Sequence, residues 1–294
     1  MKLKSPSKAA CTTVTVAVLL VATTIFAQQL GRPTAEDATT ARLVCSMINR
    51  YHINHGEIDD SVSPRLLDRF IEMLDPQKVY FLKQDIDEFS RLRTQLDDLV
   101  KQGDVSFAYD VFDIYRRRFD SRIDHAHKLI DMEYDFTLDE ELDTDFEARE
   151  WASTDAELNE RWRQRVKFEV LNRTLDKDED ITEVRDRLHK RQNTLLRSIH
   201  DTESSEVLEM FLSSLTHCFD PHSSYMSPQT LEEFRISMQL SLDGIGAALR
   251  SEEGNTFIAS IVKGGAANKD GRLEVGDQIT AVAQETGDFV DIVE

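Results

Sequence analysis

The chain has 294 residues, of which 40% are hydrophobic and 31% charged, and its net charge at pH 7 is -20. Such a length favours two domains over one hydrophobic core, and the composition is typical of a charge-rich globular protein, which excludes a membrane bundle or a disordered tail. The acidic balance also excludes nucleic acid as the main partner, because phosphate binding requires a clustered positive field.

The first 27 residues depart from this composition. Lys2, Lys4 and Lys8 precede an almost uncharged apolar stretch whose last residue is Ala27. This layout predicts a secretory signal peptide over residues 1–27 and a periplasmic or otherwise exported protein. An uncleaved signal is the alternative, since the stretch is near the lower length limit for crossing a bilayer, and it would be the only membrane association, at the inner membrane.

Residues 28–236 are predicted to form a mostly α-helical domain, because apolar residues recur at helical spacing with few glycines or prolines. Ser63 and Pro64 predict a helix start, with a hydroxyl cap and proline at the first helical position, and Asp75-Pro76 predicts its end. One helix is then predicted to carry Ile86, Phe89, Leu92, Leu96 and Leu99. Further apolar stripes follow at 107–123, 158–171, 184–199 and 206–215.

The segment 131–150 is dense in acidic residues, with Leu138, Leu142 and Phe146 as its apolar anchors. This composition predicts a loosely packed connection. A calcium site is the alternative, but no glycine-punctuated loop of the EF-hand type accompanies the carboxylates, so a solvated run of charge is favoured.

Residues 237–294 are predicted to form a small β domain. The apolar residues Met238, Leu240 and Leu242 alternate with polar residues. Two further runs, at 244–249 and 257–262, are predicted to form a pair of strands. A short helix is expected to open at 264–265, and strands are expected after the turn at 276–277 and from residue 289, the last with its partner strands missing.

Gly244, Ile245, Gly246 and Ala247 are the candidate binding site. A backbone that captures a peptide's terminal carboxylate must present several N–H groups to one point, and the two glycines allow such a turn. The strand that follows can then accept the peptide as an added strand. Taken alone the signal is weak, and a β-bulge or a tight turn is the alternative.

Four segments in order resemble the tail-specific (C-terminal processing) protease family: FDPHSSYMSP at 219–228, LSLDGIGA at 240–247, GGAA at 264–267 and LEVGDQI at 273–279. Upstream, LDPQKVYFL at 74–82 and DIDEF at 85–89 are similar to the family's N-terminal helical region. The resemblance covers nearly all of the chain after the signal. Ala266 departs from the pattern, since the family usually has proline there, and this bears on the shape of the pocket.

The resemblance implies an α+β fold, in which a mostly α-helical N-terminal domain precedes a small, partly complete PDZ-like β domain. It implies a serine-type endopeptidase that selects proteins by apolar C-terminal tails and uses a serine activated by a lysine base. In the family this dyad lies downstream of the PDZ domain, and the chain stops at Glu294. The catalytic core is therefore expected to be absent, no catalytic residue is assigned, and the chain is predicted to be inactive alone.

The partners implied by the resemblance are protein or peptide substrates with apolar C-termini and a lipoprotein adaptor on the helical region. No cofactor is expected. The alternative function, suggested by the missing core, is a non-catalytic exported peptide-binding module or adaptor.

Two other kinds of site are disfavoured. His217, Cys218, Asp220 and His222 are possible metal ligands, but their spacing matches no strong zinc pattern, so no metal is predicted. A thiol nucleophile at Cys218 with a neighbouring histidine as base is disfavoured, because neighbours in sequence seldom face each other usefully. After signal cleavage Cys45 and Cys218 would remain, and they permit either one disulfide or two buried thiols.

Overall fold

The computed structural model describes residues 31–54, 56–177, 180–238, 244–252, 255–283, 287 and 289–292. Residue contacts group the chain into two units, residues 1–225 and 226–294. The first is helical, and the second contains small antiparallel strands, so the predicted fold class of a mostly helical α+β chain is confirmed. The predicted signal peptide lies outside the described residues, and the domain boundary predicted between residues 236 and 237 falls within a helix.

The helices described in the first unit are α1 Ala35–Tyr51, α2 Val62–Leu74, α3 Lys83–Phe89, α4 Leu96–Gln102, α5 Ser106–Ile130, α6 Asp155–Lys177, α7 Ile181–Asp201 and α8 Ser204–His217. Helix α5 packs against α6, α7 and α8, which places it at the centre of the unit. Buried aromatic rings fill the contacts between helices, and the ring of Phe70 meets that of Phe211 edge to face at 5.3 Å between centroids. Within the described residues, no helix is long and apolar enough to cross a membrane.

Helix α2 begins near the predicted position, but Ser63 does not cap it. The helix starts at Val62, so Ser63 lies in its first turn and is fully buried. Its hydroxyl instead accepts a hydrogen bond from the backbone N–H of Asp97 at 2.9 Å and donates to the Asp97 carboxylate at 3.1 Å. Ser63 therefore satisfies an amide at the start of α4, a helix more than thirty residues away in sequence.

The single helix predicted to carry Ile86 through Leu99 is wrong. The structure has α3, a 3-10 turn at Ser90–Leu92 and then α4, so the chain changes direction between the two apolar groups. The amide of Arg93 donates to the carbonyl of Ser90, and that of Gln95 to the carbonyl of Leu92, so two tight turns of four residues follow each other. The spacing of apolar residues does not reveal this break, because residues on both sides of it are buried in the same core.

The turn after α2 is organised by Asp75, which is buried. Its carboxylate accepts backbone hydrogen bonds from Val79 at 2.9 Å, Tyr80 at 2.8 Å and Phe81 at 3.0 Å. Burial raises the pKa of Asp75, and the three N–H donors act in the opposite direction. One side chain thus closes the turn that carries the LDPQKVYFL segment, and the indole of Trp162 donates to the carbonyl of Val79 at 2.7 Å.

The acidic segment is held by ion pairs. Glu140 accepts from Arg163 at 2.9 Å and from Lys167 at 2.7 Å, and Asp143 contacts Arg149 at 3.3 Å. Hydrogen bonds from Lys167 and Arg163 lower the pKa of Glu140. Most residues of the segment are exposed, as predicted for a loosely packed connection, and Glu140 is the point at which these ion pairs join it to α6.

The elements described in the second unit are α9 Pro228–Met238, β1 Ala247–Glu252, β2 Asn255–Ile261, α10 Ala266–Asp270, β3 Gln278–Ile279, β4 Ala281–Val282 and β5 Val290–Asp291. Strands β1, β2 and β3 form an antiparallel sheet in that order, with an irregular register between Ala248 and Leu249. Strand β5 pairs with β4, so the strand expected from residue 289 has a partner. Of the predicted alternation at 238–242, Met238 ends α9 and residues 239–243 lie outside the described residues.

Candidate functional site

The loop before β1 makes a close backbone approach to the start of α10. Gly246 has a φ of +75°, and a Cβ atom at this position would lie 2.8 Å from the backbone nitrogen of Ala266. A Cβ atom on Gly265 would in turn lie 3.0 Å from the Cα of Gly246. Because both the left-handed conformation and the contact exclude a side chain, position 246 requires glycine.

Two consecutive carbonyl groups of this loop accept backbone hydrogen bonds from other parts of the second unit. The amide of Ala267 donates to the carbonyl of Ile245 at 2.7 Å, and that of Val262 to the carbonyl of Gly246 at 2.9 Å. In a trans peptide the N–H of Gly246 lies opposite the carbonyl of Ile245, so it is directed away from these contacts. No partner for the N–H groups of Ile245 and Gly246 is found among the residues that the structure describes. The loop can therefore offer backbone donors to an anion.

Strand β1 continues directly from the loop and is an edge of its sheet. One side pairs with β2, and no described strand pairs with the other side. Five of its six residues are exposed. An extended peptide can add to such an edge through main-chain hydrogen bonds, with its carboxylate end at the loop.

A cavity of about 420 Å³ adjoins the loop, and this volume is in the range of ligand pockets. Ile245, which is half exposed, lines it together with Ala266, Ala267 and Leu273. Asp270 and Arg272 form an ion pair in its wall, and the guanidinium holds the pKa of Asp270 below its ordinary value. Ala266, the residue that departs from the family pattern, is therefore one of the residues that line this cavity.

The four predicted residues do not contribute equally. Ile245 and Gly246 anchor the loop and Ala247 begins the edge strand, whereas a Cβ atom on Gly244 would meet open space. Glycine is therefore required by geometry at 246 and not at 244. The sequence analysis missed Gly265 as the other half of the close approach, although the Gly-Gly pair at 264–265 was the available signal.

The disfavoured alternatives have ordinary structural partners. The thiol of Cys218 is buried and donates to the carbonyl of Ser214 at 3.3 Å, and burial raises its pKa. The imidazole of His217 contacts the hydroxyl of Ser224 at 3.0 Å, and Asp220 accepts from Ser223 at 3.1 Å. In the described part of the chain, no three His, Cys, Asp or Glu side chains gather to hold a metal, and the two buried cysteines are free thiols.

Comparisons with known proteins agree with the two-part organisation. The sequence matches the tail-specific protease N-terminal domain over residues 44–229 and the PDZ domain over residues 233–291. A tail-specific protease of Haemophilus influenzae is 34% identical over 259 residues, which cover 88% of this chain and 37% of that protein. The carboxy-terminal processing protease CtpB of Bacillus subtilis is 36% identical over 80 residues, 27% of this chain and 16% of that protein. The chain thus spans well under half the length of either relative.

Proposed function

The chain belongs to the tail-specific protease family, and from this premise we propose that it forms the tail-recognising portion of an exported serine-type endopeptidase. In this proposal the second unit, a PDZ domain, binds the apolar C-terminal tails of protein substrates. The carboxylate meets the backbone donors of residues 244–247, the tail extends along β1, and its last side chain enters the cavity beside Ile245.

One observation carries the proposal. Among the described residues, the N–H groups of Ile245 and Gly246 have no partner, and they directly precede β1, whose second side pairs with no described strand. A terminal carboxylate needs convergent donors, and a tail needs a strand edge, so the two features together match one ligand class.

The chemistry of cleavage is proposed on family membership alone. A serine activated by a desolvated lysine would break the peptide bond in the complete enzyme, and no residue of this chain is assigned to that dyad. We expect the chain by itself to bind tails without cutting them. Export and the docking of a lipoprotein adaptor on the helical unit belong to the same proposal.

The test is binding of a fluorescent peptide with an apolar free C-terminus to the purified chain, with the same peptide amidated as comparison. We expect binding to the free carboxylate only. Gly246→Ala should abolish this binding, whereas Gly276→Ala, which also replaces a glycine of positive φ but in open space, should retain it.

Mass spectrometry of the peptide after incubation separates the outcomes. An intact peptide that binds through its carboxylate supports a tail-recognising domain. Equal binding of the free and amidated peptides would refute tail recognition, and cleavage of the peptide would refute the proposed inactivity of the chain alone.

A further inference from the structure

The helical unit contains a second cavity, of about 340 Å³, with a distinctive charge. Four arginines line it: Arg149, Arg161, Arg165 and Arg191. Two come from α6, one from α7 and one from the end of the acidic segment. The cluster is unexpected in a chain whose net charge is -20, because most of its surface repels anions.

Arg149 and Arg161 form the fixed wall of this arginine cavity. The guanidinium of Arg149 donates to the carbonyl of Gln77 at 3.2 Å and contacts Asp143 at 3.3 Å, and only 9% of its side chain is exposed. Arg161 donates to the carbonyl of Lys78 at 3.1 Å and pairs with Glu157 at 2.7 Å. Both groups are held by backbone oxygens as well as carboxylates, so their positions are set before a ligand arrives.

Arg165 and Arg191 are held more weakly. They share one oxygen of Glu169, at 3.6 Å and 3.4 Å, both longer than the roughly 2.7–2.9 Å of a strong charge-assisted hydrogen bond. Arg165 also donates to the side chain of Gln77 at 2.8 Å and lies over the ring of Trp162. For Arg191, Glu169 is the one polar partner found in the described part of the chain, so its guanidinium keeps donors available.

The carboxylates around the arginine cavity favour a ligand of low negative charge. Four guanidinium groups form ion pairs with three carboxylates, those of Asp143, Glu157 and Glu169, and Arg165 also attracts the buried carboxylate of Asp75. Glu169 in the wall would repel a phosphate dianion about twice as strongly as a singly charged carboxylate. The planar guanidinium fork matches the two oxygens of a carboxylate, so the singly charged group satisfies the donors at the lower electrostatic cost.

The rest of the lining is mixed, and its apolar members are Val79, Leu142, Phe146 and Phe168. Phe146 and Phe168 both contribute to the cavity, and the ring of Phe168 is half exposed. A half-exposed aromatic ring beside arginine donors favours a ligand whose carboxylate is next to apolar groups. The side chains of Phe168 and Arg191 are about half exposed, so a ligand longer than the cavity, such as a peptide chain, could contact them from solvent.

We propose that the arginine cavity binds an internal acidic residue of a peptide segment that carries apolar side chains beside it. Such a site would contact a partner or substrate protein away from its C-terminus. It lies in a different unit from the tail-binding loop and does not depend on the function proposed for that loop.

The test uses the full purified chain and a fluorescent peptide, acetyl-Phe-Glu-Phe-amide, whose amidated end removes the carboxylate that the tail-binding loop would need. We expect saturable binding that weakens about tenfold when Gln replaces the Glu of the peptide, because a charge-assisted hydrogen bond is lost. Arg191→Gln should weaken binding about tenfold as well. Arg93→Gln, an equal loss of charge at a similarly exposed ion pair outside the cavity, should leave binding unchanged.

A second variant and two competitors complete the design. Phe168→Ala, at a half-exposed ring, should weaken binding severalfold, and circular dichroism verifies that each variant is folded. Equal binding of the Glu and Gln peptides, or no effect of Arg191→Gln and Phe168→Ala, would overturn the proposal. Displacement of the peptide by inorganic phosphate at lower concentration than by unlabelled peptide would refute the carboxylate class, and equally tight binding of free 3-phenylpropionate would refute a peptide ligand.

Discussion

The two units of the chain differ in how much apolar surface they bury. In the helical unit one continuous core extends from Ala41 to Cys218. In the second unit, Ile258 and Ala267 are the buried hydrophobic residues among those described, and β1 is mostly exposed. Burial of apolar area supplies most of the free energy of folding, so we expect the helical unit to be the more stable of the two.

The comparison predicts two transitions on heating. The second unit should unfold first, because its described residues bury little apolar surface, and the helical unit should follow at higher temperature. Differential scanning calorimetry of the full chain measures this directly. One cooperative transition would show that the units stabilise each other and would contradict the predicted difference in their stability.

The largest effect of a single substitution is expected at Phe211, which is fully buried against Phe70. Phe211→Ala should lower the stability of the helical unit by about 3–5 kcal/mol through the lost transfer energy and the cavity it leaves. Only the upper transition should shift. Phe136→Ala, at an exposed ring in the same unit, is the matched control and should cost less than about 1 kcal/mol.

Asp75→Ala should destabilise the helical unit by about 3 kcal/mol, because it leaves three backbone N–H groups without their acceptor. Asp75→Asn keeps one acceptor oxygen and should cost less. Chemical denaturation of both variants measures the difference. Equal losses for Ala and Asn would show that the charge of Asp75, and not its acceptor oxygens, stabilises the turn.

Gly246→Ala should lower the stability of the second unit. A left-handed conformation costs a non-glycine residue roughly 1–2 kcal/mol, and the contact with Ala266 adds to this cost. The lower transition should move down while the upper one stays in place. A shift of the upper transition would contradict the independence of the two units.

The smallest effect concerns Cys45 in the helical core. Burial raises the pKa of its thiol from about 9 to about 11. Because the folded state disfavours the thiolate, this group leaves stability unchanged below pH 9 and lowers it as pH rises from 9 towards 11. At pH 8 iodoacetamide should label Cys45 only after denaturation. Rapid labelling of the native chain would mean that the core opens readily.

Helix positions were predictable because they depend on local patterns. The stripe of apolar residues at 107–123 predicted α5, and Asp75-Pro76 correctly marked the end of α2. The start of the short helix at 264–265 was also correct, with Gly265 as the cap of α10. The break between α3 and α4 was missed, since both sides present apolar residues to the same core.

The sequence by itself determined the helical periods, the order of motifs that carries family membership and the loop at 244–247. Only the tertiary structure decided that the loop requires glycine at 246 and that the Ser63 hydroxyl accepts a hydrogen bond from the start of α4. It also decided that four arginines line one cavity: Arg149, Arg161, Arg165 and Arg191. The physical reason is the range of the contacts. Periodicity and turn chemistry act within a few residues, whereas these partners are brought together only when the helices and strands pack.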